Sequence, residues 1–483
     1  MIVKYRQSPF NYLGVFRSGQ LIFYQLNMDV EGEGLEEKNK TYGLLTAIAM
    51  IVGTVVGSGI YFKADDILSF TGGNITLGVL VILLGAVNIV FGSLTLAQLA
   101  LRTTTSGGLA GYAEIYYNQT FATVIGLFQS FIYIPVITTV VTWVASSYTL
   151  SLLKPNASFE AEIILTIVYL FIITIMNYYS KQLAGFFQSL STFIKVIPLI
   201  IIMITGLIWQ QPIPAIPSNL PIVEPRNVGF GWLAALVPLA FTFDGWNVVT
   251  NIAPELKNAK RNLPLAYILG PIFILVLYVS YFVGLNNILG ETFILSTGNH
   301  SVNFAFNMIF GRALGNVLII VVIISVLGVA NGMFLANIRL PQAMAEKGWL
   351  KSESLKKLHP QHQLSTHSTL FVMVINLLWL LIHYFVFKYQ WLPNSDISES
   401  AVVFNNLCLL PIYYLVFQLY KKGQIKNKFF GIIAPLFATL GILVIVLGNF
   451  ILNLKAALIT SIVGILFILL FWSYAKLQQS YQP

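Results

Sequence analysis

Long apolar runs alternate with short polar connections along almost the whole chain. Twelve of these runs approach the roughly 20 residues that a helix needs to cross a lipid bilayer. They are named spans 1 to 12 and lie at residues 43–62, 76–100, 121–150, 161–178, 186–209, 230–253, 264–285, 313–337, 368–388, 399–420, 429–450 and 454–474. This pattern predicts an all-α polytopic membrane protein with twelve transmembrane helices.

Spans 1 and 6 are each interrupted near the middle by small and polar residues. The first break reads Gly-Thr-Val-Val-Gly-Ser-Gly-Ile-Tyr from Gly53 to Tyr61, and the second reads Phe-Thr-Phe-Asp-Gly-Trp-Asn from Phe241 to Asn247. A helix in lipid satisfies its own backbone groups, so unwound backbone at membrane depth persists only around a cavity. Paired breaks in two halves of a chain therefore predict a transporter's substrate site between them.

The composition agrees with this assignment. Hydrophobic residues make up 57% of the 483 positions and charged residues only 9%, whereas a soluble domain has about 25% charged residues. A net charge of +9 would suggest nucleic-acid binding in a soluble protein, but here the basic residues fall in the loops. With both termini in the cytoplasm, most of these residues lie on the cytoplasmic side, as the positive-inside rule requires. We therefore expect a multi-pass protein of a bacterial plasma membrane, with the lipid bilayer rather than nucleic acid as its partner.

The sequence indicates neither an enzyme nor a metal site. Cys408 is the single cysteine, so the chain cannot build a disulfide framework or a cysteine-based metal cluster. The histidines at positions 300, 359, 362, 367 and 383 show no ligand spacing and are interpreted as interfacial. The sequence contains no phosphate-binding loop, zinc-protease motif or nucleophile elbow. We expect no cofactor and no catalytic residue, and a monomer or weak homo-oligomer.

The spans divide the chain into two halves of five spans each, with flanking segments. Prolines mark the outer loop as an extended connection between these halves. The loop 339–367 is basic and amphipathic, and it is interpreted either as lying along the cytoplasmic interface or as a plain charged loop. The predicted segments are a cytoplasmic N-terminal tail (1–40), a first inverted repeat (41–210), an extracellular connecting loop (211–229), a second inverted repeat (230–420), spans 11 and 12 (421–476) and a cytoplasmic C-terminal tail (477–483).

The N-terminal tail has two unlike parts. Residues 1–27 do not resemble the rest of the chain, and Met28 offers an alternative start of translation. Residues 29–37 are acidic and rich in glycine, and we expect them to be disordered.

The first break offers hydrogen-bond donors. Unwinding at Gly57, Ser58 and Gly59 frees backbone amides, and the helix that restarts at Ile60 presents its positive N-terminal end. Together with the Ser58 hydroxyl, these groups predict a site for a carboxylate. The alternative is a packing site, because small residues also let membrane helices approach each other closely.

The second break offers hydrogen-bond acceptors. Asp244 lies near mid-membrane, where a carboxylate costs about 2.5–3.5 kcal/mol on insertion scales and is by default functional. Freed carbonyls from Phe241 to Asp244, at the negative end of the first half-helix, can accept hydrogen bonds from an ammonium group. A donor-rich break that faces an acceptor-rich break suits a zwitterion. The alternative for Asp244 is a structural ion pair or a backbone cap.

Lys195 is a third unusual residue, because it places a charge near the middle of span 5. At about 1.5 Å per residue it lies too deep to reach the headgroups easily, so it should face the interior and have a partner. A fixed ammonium there can take the place of a coupling cation, or it can titrate. The alternative is a lysine that lies shallower than the span boundaries suggest. Asn331, in the middle of span 8, is interpreted as a hydrogen-bonding contact between helices.

Short strings in spans 1, 5, 6 and 8 and in the loops after spans 6 and 8 follow one known pattern. They are Val52-Gly-Thr-Val-Val-Gly-Ser-Gly-Ile60, Phe193-Ile-Lys195, Phe241-Thr-Phe-Asp-Gly-Trp-Asn247, Asn262-Leu-Pro264, Asn331-Gly332, Arg339 and Ala345-Glu-Lys-Gly348. They resemble the amino-acid permeases of the amino acid–polyamine–organocation superfamily, in particular the L-type amino-acid transporter branch. The similarity covers roughly residues 41 to 420, and two independent motifs at the correct separation make it specific.

The resemblance implies a five-plus-five inverted repeat that holds the substrate between the broken spans 1 and 6, followed by two further helices. Lys195 would stand where related sodium-coupled carriers bind a cation, which implies sodium independence. The resemblance also implies three groups of substrate-binding residues. Ser58 and Gly59, next to Gly57, would bind the carboxylate, and the carbonyls of Val55, Phe241 and Asp244 would bind the amine. Trp246 and Asn247, next to Gly245, would line or gate the side-chain end.

The chain departs from the family pattern at several positions. Pro254 precedes Glu255 after span 6, where the family has a pair of glutamates. Val329 and Ala330 occupy positions of span 8 where a small hydroxyl residue is often found, so Lys195 lacks an expected partner. The loop after span 3 lacks the cysteine by which animal relatives bind a heavy chain, so no disulfide-linked partner is expected.

The sequence thus predicts an L-amino-acid permease that works by alternating access, as an exchanger or with proton coupling. A contact between Asp244 and a cationic side chain would favour basic amino acids, and Asp244 could equally serve the α-amine or the fold. One alternative is a polyamine or organic-amine carrier on the same fold, which would not need the carboxylate site. Another is a sensor that binds an amino acid without transporting it. A channel is disfavoured, because few polar residues line the spans.

Overall fold

The computed structural model describes residues 2–5, 12–17, 20–25, 41–62, 64–154, 157–218, 220–236, 239, 242–311, 315–362, 364–392, 397–452 and 454–480. The chain divides into two compact units, Met1–Thr41 and Tyr42–Pro483. Met28 and the acidic segment 29–37, which we expect to be disordered, lie outside the described residues.

The first unit contains a three-stranded antiparallel sheet in the order β1-β2-β3. Strand β1 (Ile2–Tyr5) pairs with β2 (Tyr12–Arg17), and β2 pairs with β3 (Gln20–Gln25). Aromatic and β-branched residues, which favour strands, are frequent in all three. The sequence does not predict this sheet, because runs of four to six residues are too short to give a clear signal of strands.

Ten helices among the described residues of the second unit are long and apolar enough to cross a membrane. Spans 1 and 6 are not among them because each is broken, so the ten helices and the two broken segments account for the twelve predicted spans. The continuous helices are span 2 (Ile75–Gly85 and Val87–Ala100), span 3 (Gln119–Phe128, a π-helical turn Gln129–Tyr133, and Ile134–Leu153), span 4 (Phe159–Tyr179), span 5 (Lys181–Leu207), span 7 (Ala259–Leu289), span 8 (Gly315–Asn337), span 9 (Thr366–Lys388), span 10 (Ile397–Lys421), span 11 (a π-helical turn Phe429–Ile433, and Ala434–Leu452) and span 12 (Leu454–Ser480).

Span 1 breaks where the glycine-rich string predicts it. Its first half is the helix Leu44–Val55, and Val56 then takes an extended conformation with φ −75° and ψ 99°. A short helix, Ser58–Phe62, follows, and the chain continues as the helix Ala64–Thr71. The last carbonyls of the first half-helix therefore have no helical partner and are open to other donors.

Span 6 breaks at Gly245. A 3₁₀ segment, Gly229–Ala235, opens the span, and Trp246–Glu255 forms a ten-residue 3₁₀ helix after the break. Gly245 has φ +94°, a left-handed conformation that glycine adopts readily. A Cβ atom at this position would lie 2.9 Å from Met333 Cε. The backbone conformation therefore favours glycine at the break, and with any other residue the flexible end of the Met333 side chain would have to move.

Each half of the helical unit starts with a broken span and continues with four unbroken ones, as the five-plus-five interpretation predicts. The proline-rich connection between the halves has no helix in its described residues, and its Arg226 amide donates to the Gly72 carbonyl at 2.9 Å. The shorter helices of the loops are Gly108–Tyr116, Glu291–Thr297, the 3₁₀ turn Gly298–His300, Ser301–Phe310, Leu340–Glu346 and Glu353–Lys356.

The loop after span 8 is anchored in the protein. Trp349 is fully buried, and its indole Nε1 donates to Glu114 Oε1 at 3.2 Å. Lys347 forms an ion pair with the same glutamate. At these residues the loop is attached to the protein, and its position along the cytoplasmic interface stays a prediction. An amphipathic pattern does not distinguish a lipid surface from a protein surface that carries a partly buried carboxylate.

His383 lies near the end of span 9, as predicted, but it is buried between two spans. Only 1% of this residue is exposed, and its ring lies 4.6 Å from the Trp143 ring, measured between centroids. Span 9 ends at Lys388, as predicted, and within it the His383 ring packs against span 3 instead of facing the membrane surface. Its burial therefore contributes to the contact between spans 3 and 9.

Candidate functional site

The two breaks face each other across a cavity of about 110 Å³. The rest of its wall comes from spans 3 and 8 and is mostly apolar. The lining residues are Thr54, Val55, Gly57 and Gly59 of the first break, Thr242 and Asp244 of the second break, Ile137, Val140, Val141 and Val144 of span 3, and Val326, Val329 and Met333 of span 8. The structure therefore brings the two predicted breaks together around one cavity.

Glycine residues allow the first break to approach its neighbours closely. A Cβ atom on Gly59 would lie 3.3 Å from Thr242 Oγ1, and one on Gly57 would lie 3.4 Å from a methyl group of Val329. The packing interpretation therefore applies to Gly59, whereas a Cβ atom on Gly57 would make only an ordinary contact; both glycines line the cavity. The backbone of Ser58 starts the short second half-helix, and its side chain is outside the described part of the structure.

The second break centres on the carboxylate of Asp244. The Tyr133 hydroxyl donates to Asp244 Oδ2 at 2.8 Å, and the Gly245 amide and the Asn405 side chain also hydrogen-bond to this carboxylate. The Thr54 hydroxyl oxygen lies 3.0 Å from the Gly245 carbonyl oxygen and 2.6 Å from the Met50 carbonyl oxygen of its own helix, so the two breaks are in direct contact here. Donors from spans 3, 6 and 10 thus hold one carboxylate at the edge of the cavity.

One tyrosine of span 7 bridges backbone carbonyls of both breaks. The Tyr278 hydroxyl lies 3.3 Å from the Val55 carbonyl oxygen and 3.4 Å from that of Thr242. A carbonyl oxygen has two lone pairs, so the Val55 oxygen can accept a second hydrogen bond. Phe241, which was predicted to contribute a carbonyl, lies outside the described residues.

Trp246 and Asn247 are not among the residues that line the cavity. Trp246 is 2% exposed, and its ring lies edge-on to Tyr267 of span 7, with 6.0 Å between the ring centroids. Asn247 Nδ2 lies 3.5 Å from Asn405 Oδ1. In this conformation Trp246 packs against span 7 and Asn247 contacts span 10, behind the second break.

Lys195 is fully buried beside the first break. Its ammonium nitrogen donates to the carbonyls of Gly53 at 2.8 Å, Val56 at 2.9 Å and Ser325 at 2.9 Å. Three acceptors match the three donors of an ammonium group. The predicted burial and the predicted need for a partner are confirmed, and the partners are backbone carbonyls of the break and of span 8. One charge therefore ties the first break to spans 5 and 8.

Three polar residues near Asp244 were not predicted. Tyr133 lies in the π-helical turn Gln129–Tyr133, a kind of local widening that is frequent at functional sites. Gln129 Nε2 donates to Asn405 Oδ1 at 3.3 Å, which links spans 3 and 10 behind the carboxylate. Gln129 and Asn405 are polar residues within apolar spans, and that signal was available in the sequence. Tyr133 carried no such signal, because aromatic residues are frequent throughout the chain.

Asn331 joins three helices, as the sequence predicts. Its Nδ2 donates to Gln188 Oε1 at 3.0 Å and to the Ala184 carbonyl at 3.2 Å, both in span 5. Its Oδ1 accepts a hydrogen bond of 2.9 Å from Asn177 Nδ2 in span 4. These bonds fix the middle of span 8, close to the cavity wall.

A charged cluster connects spans 1, 5, 6 and 8 at the end that the positive-inside rule assigns to the cytoplasm. Arg339 forms an ion pair with Glu255, and its Nη2 donates to the Tyr42 hydroxyl at 3.2 Å. Lys181 Nζ lies 3.8 Å from Glu255 Oε2. The Tyr42 amide also donates to the Glu255 carbonyl at 3.1 Å. The start of span 1 is thereby held against the end of span 6.

Replacing Arg339 with methionine is expected to destabilise the protein by about 3–5 kcal/mol, because it breaks a largely buried ion pair and leaves one charge poorly compensated. The thermal unfolding midpoint in detergent should fall accordingly. The double variant Arg339→Met with Glu255→Met should recover most of the loss, since apolar replacement of a whole buried pair is often neutral. A double variant that is as unstable as the single one would contradict this assignment.

The fold and the cavity define a class of protein, namely a polytopic membrane carrier with two broken helices around a central site. A sequence profile of the amino acid permease family matches residues 42–477, and the chain belongs to that family. The resemblance to permeases of the amino acid–polyamine–organocation superfamily is thereby confirmed.

The chain is similar to transport proteins over most of its length. The serine/threonine exchanger SteT of Bacillus subtilis (strain 168) is 27% identical over 88% of this chain and 92% of its own. The b(0,+)-type amino acid transporter 1 of Mus musculus is 26% identical over 70% of each chain. The large neutral amino acids transporter small subunit 2 of Homo sapiens is 27% identical over 80% of this chain and 76% of its own.

Proposed function

We propose that this permease carries L-amino acids across the plasma membrane by alternating access and without sodium. The observation that carries the proposal is one cavity lined by residues of both breaks, beside a buried lysine that donates to carbonyls of the first break. A relative named as a serine/threonine exchanger, similar over 88% of the chain, supports exchange as the mode of transport. A carrier of this kind performs no chemistry on its substrate and needs no catalytic residue.

In the proposed complex the substrate's carboxylate lies at the first break. The amides of residues 57–59 would donate to it, and the Ser58 hydroxyl would add a further donor. The substrate's ammonium would lie between the carbonyls of Val55, Phe241 and Asp244. The free lone pair of the Val55 oxygen, which already accepts one hydrogen bond, supports this arrangement.

The cavity favours a small substrate. Its volume is about 110 Å³, and valine side chains of spans 3 and 8 form much of the wall. The Asp244 carboxylate provides one acceptor for a hydroxyl or cationic group at the side-chain end. We further propose that Trp246 and Asn247, on the half-helix that follows Gly245, act on this end only when that half-helix moves.

Lys195 supports sodium independence. The oxygens of Gly53, Val56 and Ser325 are the type of ligand that a hard cation takes. The ammonium group already fills the position between them, and it supplies the positive charge that would otherwise come from a bound ion. Coupling would then rest on exchange or on protons.

A carrier of polyamines or other organic amines is a second candidate. Asp244 favours it, because a carboxylate that lines the cavity attracts any amine. Such a carrier would have no use for the donors of the first break. Amines that lack a carboxylate should compete with amino acids for uptake if this candidate is correct, and they should fail to compete if the substrate is an amino acid.

Uptake by the reconstituted protein tests the proposed function. Vesicles with and without internal amino acid are supplied with a panel of labelled amino acids, and sodium and a proton gradient are each added or omitted. Uptake that requires internal amino acid and does not respond to sodium is expected. Uptake into empty vesicles under a proton gradient would identify a symporter. Sodium dependence would contradict the role of Lys195, and binding without any flux would identify a sensor.

A further inference from the structure

A second and larger cavity opens on the lipid-facing surface between spans 3, 9, 10 and 12, and we call it the span 12 crevice. Its volume is about 650 Å³, compared with about 110 Å³ for the cavity between the breaks. Apolar side chains form most of its walls, among them Phe128, Trp379, Phe404 and Phe467. Its edge on span 12 is open, since Val463 is 46% exposed. The volume falls in the range of roughly 300–1,000 Å³ that is usual for sites of organic ligands.

The span 12 crevice has about the depth of one membrane leaflet. Along the helix of span 12 its lining extends from Lys455 to Phe467, which is about 18 Å at 1.5 Å per residue. Half of a hydrocarbon core of about 30 Å is about 15 Å. A single lipid acyl chain that enters from the interface therefore matches the length of the crevice.

One end of the crevice is polar and lies at the membrane boundary. Lys455, Gln390 and Ser400 line this end, where span 9 ends and spans 10 and 12 begin. The exposed Trp391 lines the same end, and tryptophan is enriched at the level of the headgroups. None of the ion pairs among the described residues includes Lys455. Glu399, next to Ser400 in the chain, is not part of the lining.

We propose that the span 12 crevice binds one anionic phospholipid. An acyl chain lies between spans 3, 10 and 12, and the Lys455 ammonium donates to the phosphate, with the polar side chains of Gln390 and Ser400 beside it. A zwitterionic lipid offers the same acyl chain but carries its own cationic group, which Lys455 repels. The site therefore selects lipids by the charge of the headgroup.

The crevice shares two helices with the proposed substrate site. Ile132 of span 3 and Phe404 of span 10 line the crevice. Each is followed in the chain by a residue that hydrogen-bonds to the Asp244 carboxylate: Tyr133 follows Ile132, and Asn405 follows Phe404. A bound acyl chain therefore packs against the back of the helices that hold this carboxylate. Occupancy of the crevice should change the rate of transport.

Native mass spectrometry of the purified full chain tests the binding. Titration with phosphatidylglycerol should give one bound lipid per protein, with occupancy about fivefold lower for phosphatidylcholine. Lys455→Gln should lower the phosphatidylglycerol occupancy about fivefold, and Lys455→Arg should retain it. Val463→Trp fills the crevice and should lower the occupancy for both lipids. Ile462→Trp, at the neighbouring position that is exposed but outside the lining, is the matched control.

Two results would overturn the proposal. Equal lipid occupancy in Val463→Trp and Ile462→Trp would mean that the bound lipid lies elsewhere on the protein. A dimer that Val463→Trp converts into a monomer would mean that a second copy of the chain fills the crevice. The expected mass is that of one chain with one phosphatidylglycerol. Val463→Trp and Ile462→Trp should both be monomeric, and only their lipid occupancy should differ.

A transport measurement tests the coupling, and this arm rests on the proposed function. Exchange by the wild type should rise several-fold as phosphatidylglycerol replaces phosphatidylcholine in the vesicles, and Val463→Trp should remove this dependence. A flux that is independent of lipid composition, despite bound phosphatidylglycerol, would refute the coupling. If no amino-acid flux occurs at all, the proposed function fails, and the mass measurement still tests the lipid site.

Discussion

Replacing Lys195 with alanine is expected to reduce amino-acid flux about tenfold or more. The change leaves the carbonyls of Gly53, Val56 and Ser325 without their donor. A buried polar group without a partner costs about 1–3 kcal/mol, and each 1.4 kcal/mol added to a barrier slows a rate tenfold. The first break also loses its link to spans 5 and 8. Initial rates of labelled uptake into proteoliposomes, normalised to the reconstituted protein, measure the loss.

Sodium makes the same variant a sharper test. The alanine leaves a space bounded by three carbonyl oxygens, which are suitable ligands for a hard cation. Flux through Lys195→Ala should therefore recover in part as sodium is raised, while the wild type should not respond. Lys154→Ala removes an exposed lysine after span 3 and should behave as the wild type. Full activity of Lys195→Ala, or no effect of sodium on it, would contradict the role of a cation surrogate.

Asp244→Asn is expected to reduce uptake of cationic amino acids about tenfold and to change uptake of neutral ones much less. The carboxylate lines the cavity, and hydrogen bonds to a charged group contribute about 1.5–3 kcal/mol. Asparagine has the same shape and can still accept the hydrogen bond from Tyr133. The measurement is inhibition of labelled serine uptake by arginine and by alanine, compared between the variant and the wild type.

Tyr133→Phe is the matched control for this variant. It removes the hydroxyl that donates to Asp244 and leaves the carboxylate charge in place. It should therefore affect neutral and cationic substrates to a similar degree. If Asp244→Asn also reduces both classes equally, the carboxylate serves the α-amine or the local fold, and its selectivity role is refuted.

Much of the helical fold could be predicted, because the bilayer imposes a length on each apolar run. The interruptions at Gly57 and Gly245 were also visible, since glycine and polar residues within such a run are conspicuous. The 3₁₀ geometry of Trp246–Glu255 was not predictable, because the same residues could form an α-helix of the same polarity. The burial of Trp349 was not predictable either, since it depends on a carboxylate more than two hundred residues away.

The candidate site shows a similar division. A lysine in the middle of a span signals burial by its cost alone, so Lys195 was found from the sequence. Its acceptors could not be named, because every residue has a carbonyl and only the folded chain selects three of them. The contact between Tyr133 and Asp244 depends on how span 3 is rotated, and polar residues such as Gln129 indicate an inward face without identifying what that face contacts. The same ambiguity explains why Trp246 was expected to face the cavity, from which it is separated in this conformation.

The 3₁₀ helix after Gly245 is longer than an α-helix of the same residues would be. At about 2.0 Å per residue its ten residues extend about 20 Å, whereas an α-helix of ten residues extends about 15 Å. Pro254 cannot continue an α-helix without losing a hydrogen bond, so only residues 246–253 could rewind, which would shorten this segment by about 4 Å. Such a retraction would pull on the ion pair with Arg339 at one end and on the cavity at the other. A change in helical pitch would then connect the cavity at one end of this segment with the charged cluster at the other end.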